Sequence, residues 1–150
     1  TRKFEDISEK EWDLIMDINS KVTFLAIQIA MPYLKESKNG RVVNLSSTGG
    51  IKGCPLIVPY CASKFAVTGM TQAIGAEVAP YGVTVNAVAP GFIKSEMSDS
   101  MPEEIIKAAI EQIPVKRIGT TEDMGYCYLF LASKESSYIT GSVLEVTGDL

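Results

Sequence analysis

Two short, mostly apolar runs constrain the fold of this chain more than anything else in it. Residues 41–45 (RVVNL) do not alternate apolar with polar, and residues 83–88 (VTVNAV) carry no charge on either face. A strand with one wet face alternates, whereas a strand covered on both faces reads as a near-continuous apolar run, the pattern of a buried parallel sheet. Both runs are bounded by turn residues: Asn39-Gly40 before the first and Ser46-Ser47 after it, Pro80 and Gly82 before the second and Pro90-Gly91 after it. A third strand is expected at 142–146.

Helical periodicity fills the remainder. Ser8 reads as an N-cap, with Glu11 completing a capping box. From Glu9 the apolar positions Trp12, Ile15, Met16, Ile18, Val22, Leu25, Ile29 and Leu34 recur at helical spacing. This predicts one long helix or two abutting ones, ending near 37–40, with Pro32 kinking the last turns. A second helix is expected over 60–79. It carries Ala62, Ala66, Gly69, Ala73, Gly75, Ala76 and Ala79, small residues that invite a close helix–helix contact. Pro102-Glu103-Glu104 is a helix-start signature. It opens a segment, 98–113, that reads as a mobile substrate lid, with Ile105, Ile106, Ala109 and Ile110 on its apolar face. That face fits either closure over a substrate or attachment to the core. Thr121 is expected to cap a helix running to about Ser133. The apolar loop residues Ile51, Leu56, Ile57 and Val58 fit either a substrate surface or a cover for the core.

The length, 150 residues, suits one domain over 1–150. The net charge of −4, without a long basic block, argues against a nucleic-acid surface. No apolar run is expected to approach membrane-span length, and no signal peptide is read at the start. Cys54, Cys61 and Cys127 lack metal spacing and point to reduced thiols in a cytoplasmic setting. The chain has no histidine. This excludes Ser-His-Asp and Cys-His nucleophile chemistry within it and removes the usual ligand of a catalytic zinc, so no metal site is expected. A Gly-x-Ser-x-Gly elbow is also missing.

Chemistry concentrates in one region. Lys64 follows Tyr60 by four residues, so phenol and ammonium share one helix face. A free phenol titrates at about 10, and a nearby positive charge favours its ionised form. A phenol tuned this way exchanges protons near neutral pH. Ser47 ends the first strand, where a hydroxyl can meet a reacting oxygen. Tyr-x-x-x-Lys alone also fits an idle exposed helical pair. Asn19, in the first helix, reads on its own as a tolerated polar residue. Pro90-Gly91 reads as a turn at a strand's carboxyl end, the edge where ligands bind in open α/β sheets.

Three ordered motifs, RVVNLSSTGG at 41–50, YCASK at 60–64 and VTVNAVAPGFI at 83–93, resemble the short-chain dehydrogenase/reductase family. Its 3-oxoacyl-acyl-carrier-protein reductase and hydroxysteroid dehydrogenase members are the most similar. The resemblance covers nearly the whole chain. It implies the C-terminal part of a Rossmann-like, doubly wound parallel α/β sheet with flanking helices. It also implies an oxidoreductase that moves a hydride between NAD(H) or NADP(H) and a ketone or secondary alcohol. By resemblance Tyr60 is the general acid/base, Lys64 assists it and holds the nicotinamide ribose, and Ser47 binds the reacting oxygen. Asn19 distorts its helix and holds a water in a proton relay to Lys64. Pro90, Gly91, Ile93 and Ser95 form the nicotinamide-side loop, with Ser95 standing where most relatives carry threonine. The helices carrying Asn19 and Tyr60 imply a homodimer or homotetramer. The apolar loops lean toward an acyl or steroid-like ketone.

A glycine-rich pyrophosphate turn does not occur in the chain, and neither does the residue that would choose NAD or NADP. Residues 146–150 (VTGDL) depart from the Asp-Gly-Gly ending of the family. The expectation is therefore a C-terminal portion that lacks the first four strands and leaves one sheet edge open, with the missing part either omitted or supplied by another chain. The competing expectation is a catalytically silent remnant that serves as a dimerisation module.

Overall fold

The computed structural model describes residues 1–95, 98 and 101–149. Three parallel strands, β1 (Arg41–Leu45), β2 (Thr84–Pro90) and β3 (Val143–Val146), form one sheet in the order β1-β2-β3. Leu45 pairs with Val88 and Val88 with Leu144, so the strands' carboxyl ends lie along one edge. β2 is the central strand, and Val83, Val85, Ala87, Val88 and Ala89 around it are all buried. The sequence reading treats residues 41–45 and 83–88 alike, but β1 is only partly covered, with Leu45 51% exposed. The cause is position: among the described residues β1 pairs on one side only.

Ser8 caps α1 (Glu9–Met16) through a complete capping box with Glu11. Helical backbone then continues through a π-helical segment, Asp17–Lys21, into α2 (Val22–Glu36). The interruption thus falls around Asn19. An extra residue in the π turn spoils the i to i−4 ladder, and two hydroxyls patch it. Ser20 Oγ donates to the Met16 carbonyl. Thr23 Oγ1 donates to the Asn19 carbonyl at 2.8 Å. The continuous helical run Glu9–Glu36, 28 residues, is long and apolar enough by composition to cross a membrane. This corrects the expectation that no run approaches that length.

α3 (Val58–Val78) begins two residues before Tyr60, because Pro59 suits the first helical turn. α2 and α3 cover one sheet face, where Val78, Val83 and Val85 form a core with Met31, Leu34, Val42 and Ile74. Asn44 Nδ2 ties β1 to Thr71 of α3 at 2.9 Å. Within the chain, two glycines of α3 meet no neighbouring helix. A Cβ on Gly75 would lie 2.8 Å from the Gly141 backbone nitrogen, so this glycine admits a loop, and Gly69 faces open space.

On the opposite face lies α5 (Thr121–Ala132), near whose end Arg41 Nε donates to the Ser133 carbonyl at 3.3 Å. The cap of α5 is Thr120, one residue earlier than expected, in a capping box with Asp123. α4 (Glu103–Gln112) follows Pro102 as anticipated, and Ile113 beyond it is 1% exposed. Glu96, Met97, Asp99 and Ser100 of the expected loop and lid, and the terminal Leu150, lie outside the described residues.

Candidate active site

Four segments converge on the first turns of α3: the π segment, the end of β1, the 3-10 turn Thr48–Gly50, and α1. The sheet ladder runs past β1 into Ser46, whose N–H donates to the Val88 carbonyl at 2.8 Å. Ser47 is therefore held at the carboxyl edge of the sheet. It caps the following turn, its Oγ accepting the Gly49 N–H at 3.1 Å. Glycine is required in this turn by proximity. A Cβ on Gly49 would sit 3.2 Å from the Tyr60 ring, and one on Gly50 would sit 2.6 Å from the Lys64 carbonyl oxygen. The turn carrying Ser47 thus lies directly against the helix carrying Tyr60 and Lys64.

Lys64 is buried, and its Nζ donates to the Leu45 carbonyl at 2.9 Å and lies 5.8 Å from the Tyr60 ring centroid. Burial pushes the Lys64 ammonium below the ordinary lysine value, because desolvation disfavours its charge. Asn19 reaches α3 from the π segment, with its Nδ2 donating to Ser63 Oγ at 3.0 Å. Asn19 and Lys64 line one open groove of about 540 Å³, together with Ile18, Thr23 and residues 42–45. Tyr60 lines a separate cavity of about 240 Å³ with Leu14, Ile15, Leu56 and Ile57, and Arg2 stands at its rim. Of the apolar loop residues, Leu56 and Ile57 line the Tyr60 cavity. Leu56 takes a left-handed backbone, φ 68°, and its carbonyl accepts the Arg2 N–H at 2.8 Å.

The β2 end is built by backbone contacts. Gly91 N–H donates to Val146 O at 3.0 Å, and Ile93 bridges Gly119. The Ile93 side chain lines a third cavity of about 350 Å³ with Val115, Arg117 and Cys127. Ser95 is exposed, and its N–H donates to Ser98 Oγ at 2.7 Å. The structure therefore gathers Asn19, Ser47, Tyr60 and Lys64 around one helix start, with Pro90 and Gly91 on the same sheet edge. Ile93 and Ser95 continue outward from that edge. Sequence reasoning missed Ser63, the Leu45 carbonyl and Thr23. A serine at a buried helical position beside Lys64 was the available signal for the first; backbone acceptors leave none.

A family model described as enoyl-(acyl carrier protein) reductase matches residues 1–148. The chain is 43% identical over 144 residues to a 3-oxoacyl-(acyl-carrier-protein) reductase of Rickettsia prowazekii, covering 96% of this chain and 60% of that protein. Its identity to the Thermotoga maritima protein of the same name is 42%, covering 96% and 58%. The chain thus spans about 60% of the length of these curated relatives. Among solved structures, a Brucella melitensis 3-oxoacyl-(acyl-carrier protein) reductase with bound NAD superposes with a TM-score of 0.90 at 33% identity, covering 100% of this chain and 55% of that one. With the motifs, the parallel sheet and the matched family model in agreement, the chain belongs to the short-chain dehydrogenase/reductase family.

Proposed function

We propose that this chain carries the proton-handling half of an NAD(H)- or NADP(H)-dependent oxidoreductase acting on a ketone or secondary alcohol. The observation that carries the reading is a buried lysine ammonium held on the last residue of β1, beside a tyrosine ring packed against the serine turn at the sheet's carboxyl edge. These residues fit a nicotinamide nucleotide. A cation stands beside an open groove, and the ends of two adjacent parallel strands form a ligand-binding edge. Lys64 would hold the ribose, and Pro90, Gly91, Ile93 and Ser95 would hold the carboxamide side. When bound, the nucleotide supplies or accepts the hydride.

In reduction Tyr60 gives its hydroxyl proton to the carbonyl oxygen as charge builds there; in oxidation it takes the alcohol proton. The Lys64 charge stabilises the resulting phenolate. Ser47 donates a hydrogen bond to the reacting oxygen and stabilises its developing charge. Asn19, on the same groove as Lys64, holds the relay that returns the proton.

Leu14, Ile15, Leu56 and Ile57 around Tyr60 favour an apolar substrate, acyl or steroid-like, and the names of the curated relatives favour acyl. The apolar row Leu25, Ile29 and Tyr33 on α2 is 42–74% exposed and suits a homodimer or homotetramer interface better than a bilayer span. The setting is cytoplasmic.

The test is turnover of NADH or NADPH with a panel of 3-oxoacyl thioesters and apolar ketones, alongside nucleotide binding by fluorescence. Binding with ketone-dependent oxidation is expected. A folded, oligomeric chain that binds neither nucleotide would replace this reading with the silent dimerisation module.

A further inference from the structure

Ser63 stands between two residues of the proposed machinery and touches neither cavity. It is completely buried. Its Oγ donates to the Tyr60 carbonyl at 2.7 Å and accepts from Asn19 Nδ2 at 3.0 Å, across a separation of 44 residues. A serine hydroxyl has one hydrogen and two lone pairs. With the hydrogen spent on Tyr60, only a donor can approach the oxygen. The nitrogen side of the Asn19 amide must therefore face α3, and its oxygen side must face away.

Back-bonding to a carbonyl one turn earlier is ordinary for a helical serine. Receiving the amide of an asparagine from a π segment is not. That segment is otherwise secured within its own helix, by Ser20 on Met16 and Thr23 on Asn19. Among the hydrogen bonds between described residues, Asn19–Ser63 joins the π segment to the turn bearing Tyr60 and Lys64.

We propose that Ser63 is a positioning residue of the site. It sets the rotation of the Asn19 amide and holds the π segment at a fixed distance from the turn of Tyr60 and Lys64, so that Asn19 and Lys64 share one groove. It acts through Asn19 and contacts no reacting atom. The assignment rests on the oxidoreductase reading above.

The test compares Ser63→Ala, Asn19→Ala and the double variant in steady-state turnover across pH, with thermal melts of each. Ser63→Ala should lower kcat by roughly tenfold to a hundredfold, the scale of a displaced catalytic group. KM for the ketone should be nearly unchanged, and the pH profile of kcat should shift the same way as in Asn19→Ala. The double variant should be no slower than the slower single one, because both remove one connection. Multiplying effects, or a Ser63→Ala enzyme with native kcat and pH profile, overturn the assignment while leaving the oxidoreductase reading intact. A wild-type chain that turns over no ketone overturns both. If Ser63→Ala does not fold, hydrogen exchange of the Asn19 side-chain amide in the wild type decides. Slow exchange supports the connection, and exchange at the rate of an exposed asparagine overturns it.

Discussion

Lys64 Nζ donates to the carbonyl of Leu45 at 2.9 Å, which ties the second turn of α3 to the last residue of β1. The bond holds a cation where burial disfavours it, below its ordinary value of 10.5. Between the lowered value and 10.5 the unfolded chain binds more protons than the folded one, so stability rises with pH through that window. Below it, the buried charge costs stability. Lys64→Met should flatten this rise and stop turnover. The check is urea unfolding of both proteins from neutral to alkaline pH. A wild-type stability that does not climb relative to the variant would contradict it.

Tyr60→Phe keeps the ring that packs on Gly49 and loses only the hydroxyl. Turnover should fall by about 10²- to 10⁴-fold, the usual share of a positioned acid/base, with the melting temperature preserved. Native rates in the phenylalanine variant would remove Tyr60 from its role.

Gly50→Ala places a methyl 2.6 Å from the Lys64 carbonyl oxygen and 2.7 Å from its carbon. These are backbone atoms that cannot swing aside. The serine turn must lift off α3, at a cost of roughly 1–3 kcal/mol. A denaturant midpoint equal to that of wild type would show that the turn is not pinned there.

Asn86 is fully buried in β2 and clamps the chain ahead of β3. Its Nδ2 donates to Ile139 O at 2.8 Å, and its Oδ1 accepts the Ser142 N–H at 3.1 Å. Asn86→Leu strands both backbone groups and should cost about 1–3 kcal/mol for each left unsatisfied. Hydrogen exchange at Ser142 offers a local reading: unchanged protection there would disprove the clamp.

Asp123 is held at about 2, below its ordinary 3.8, first by the Arg117 guanidinium and then by the Thr120 N–H. Its support for the start of α5 is present above 3.8 and is lost as pH falls through about 2. Asp123→Asn should therefore remove that segment of the acid-unfolding profile. Superimposable acid profiles would exclude the contribution.

Much of this was legible in the sequence because its signals are local. The Ser8–Glu11 box, the Pro102 start and the carboxyl-edge position of Ser47 all follow from short-range backbone chemistry. The start of α3 was misplaced by two residues because Val58-Pro59 reads equally as loop. β1 was misread as fully covered because composition shows what a strand tolerates and not which neighbour it receives. The Lys64–Leu45 and Asn19–Ser63 bonds were invisible because each joins residues far apart in the chain, one through a backbone acceptor that every residue owns.

The π turn at Asp17–Lys21 has a steric corollary. One surplus residue turns everything ahead of it by roughly 100° about the axis. A single rod can thereby serve two surfaces: its leading portion offers Leu14 and Ile15 to the Tyr60 cavity, while its trailing portion lays Met31 and Leu34 on the sheet. Deleting any one residue between 17 and 21 would unscrew that offset and swing Leu14 and Ile15 off the cavity wall, although every helix-forming preference in the sequence would survive.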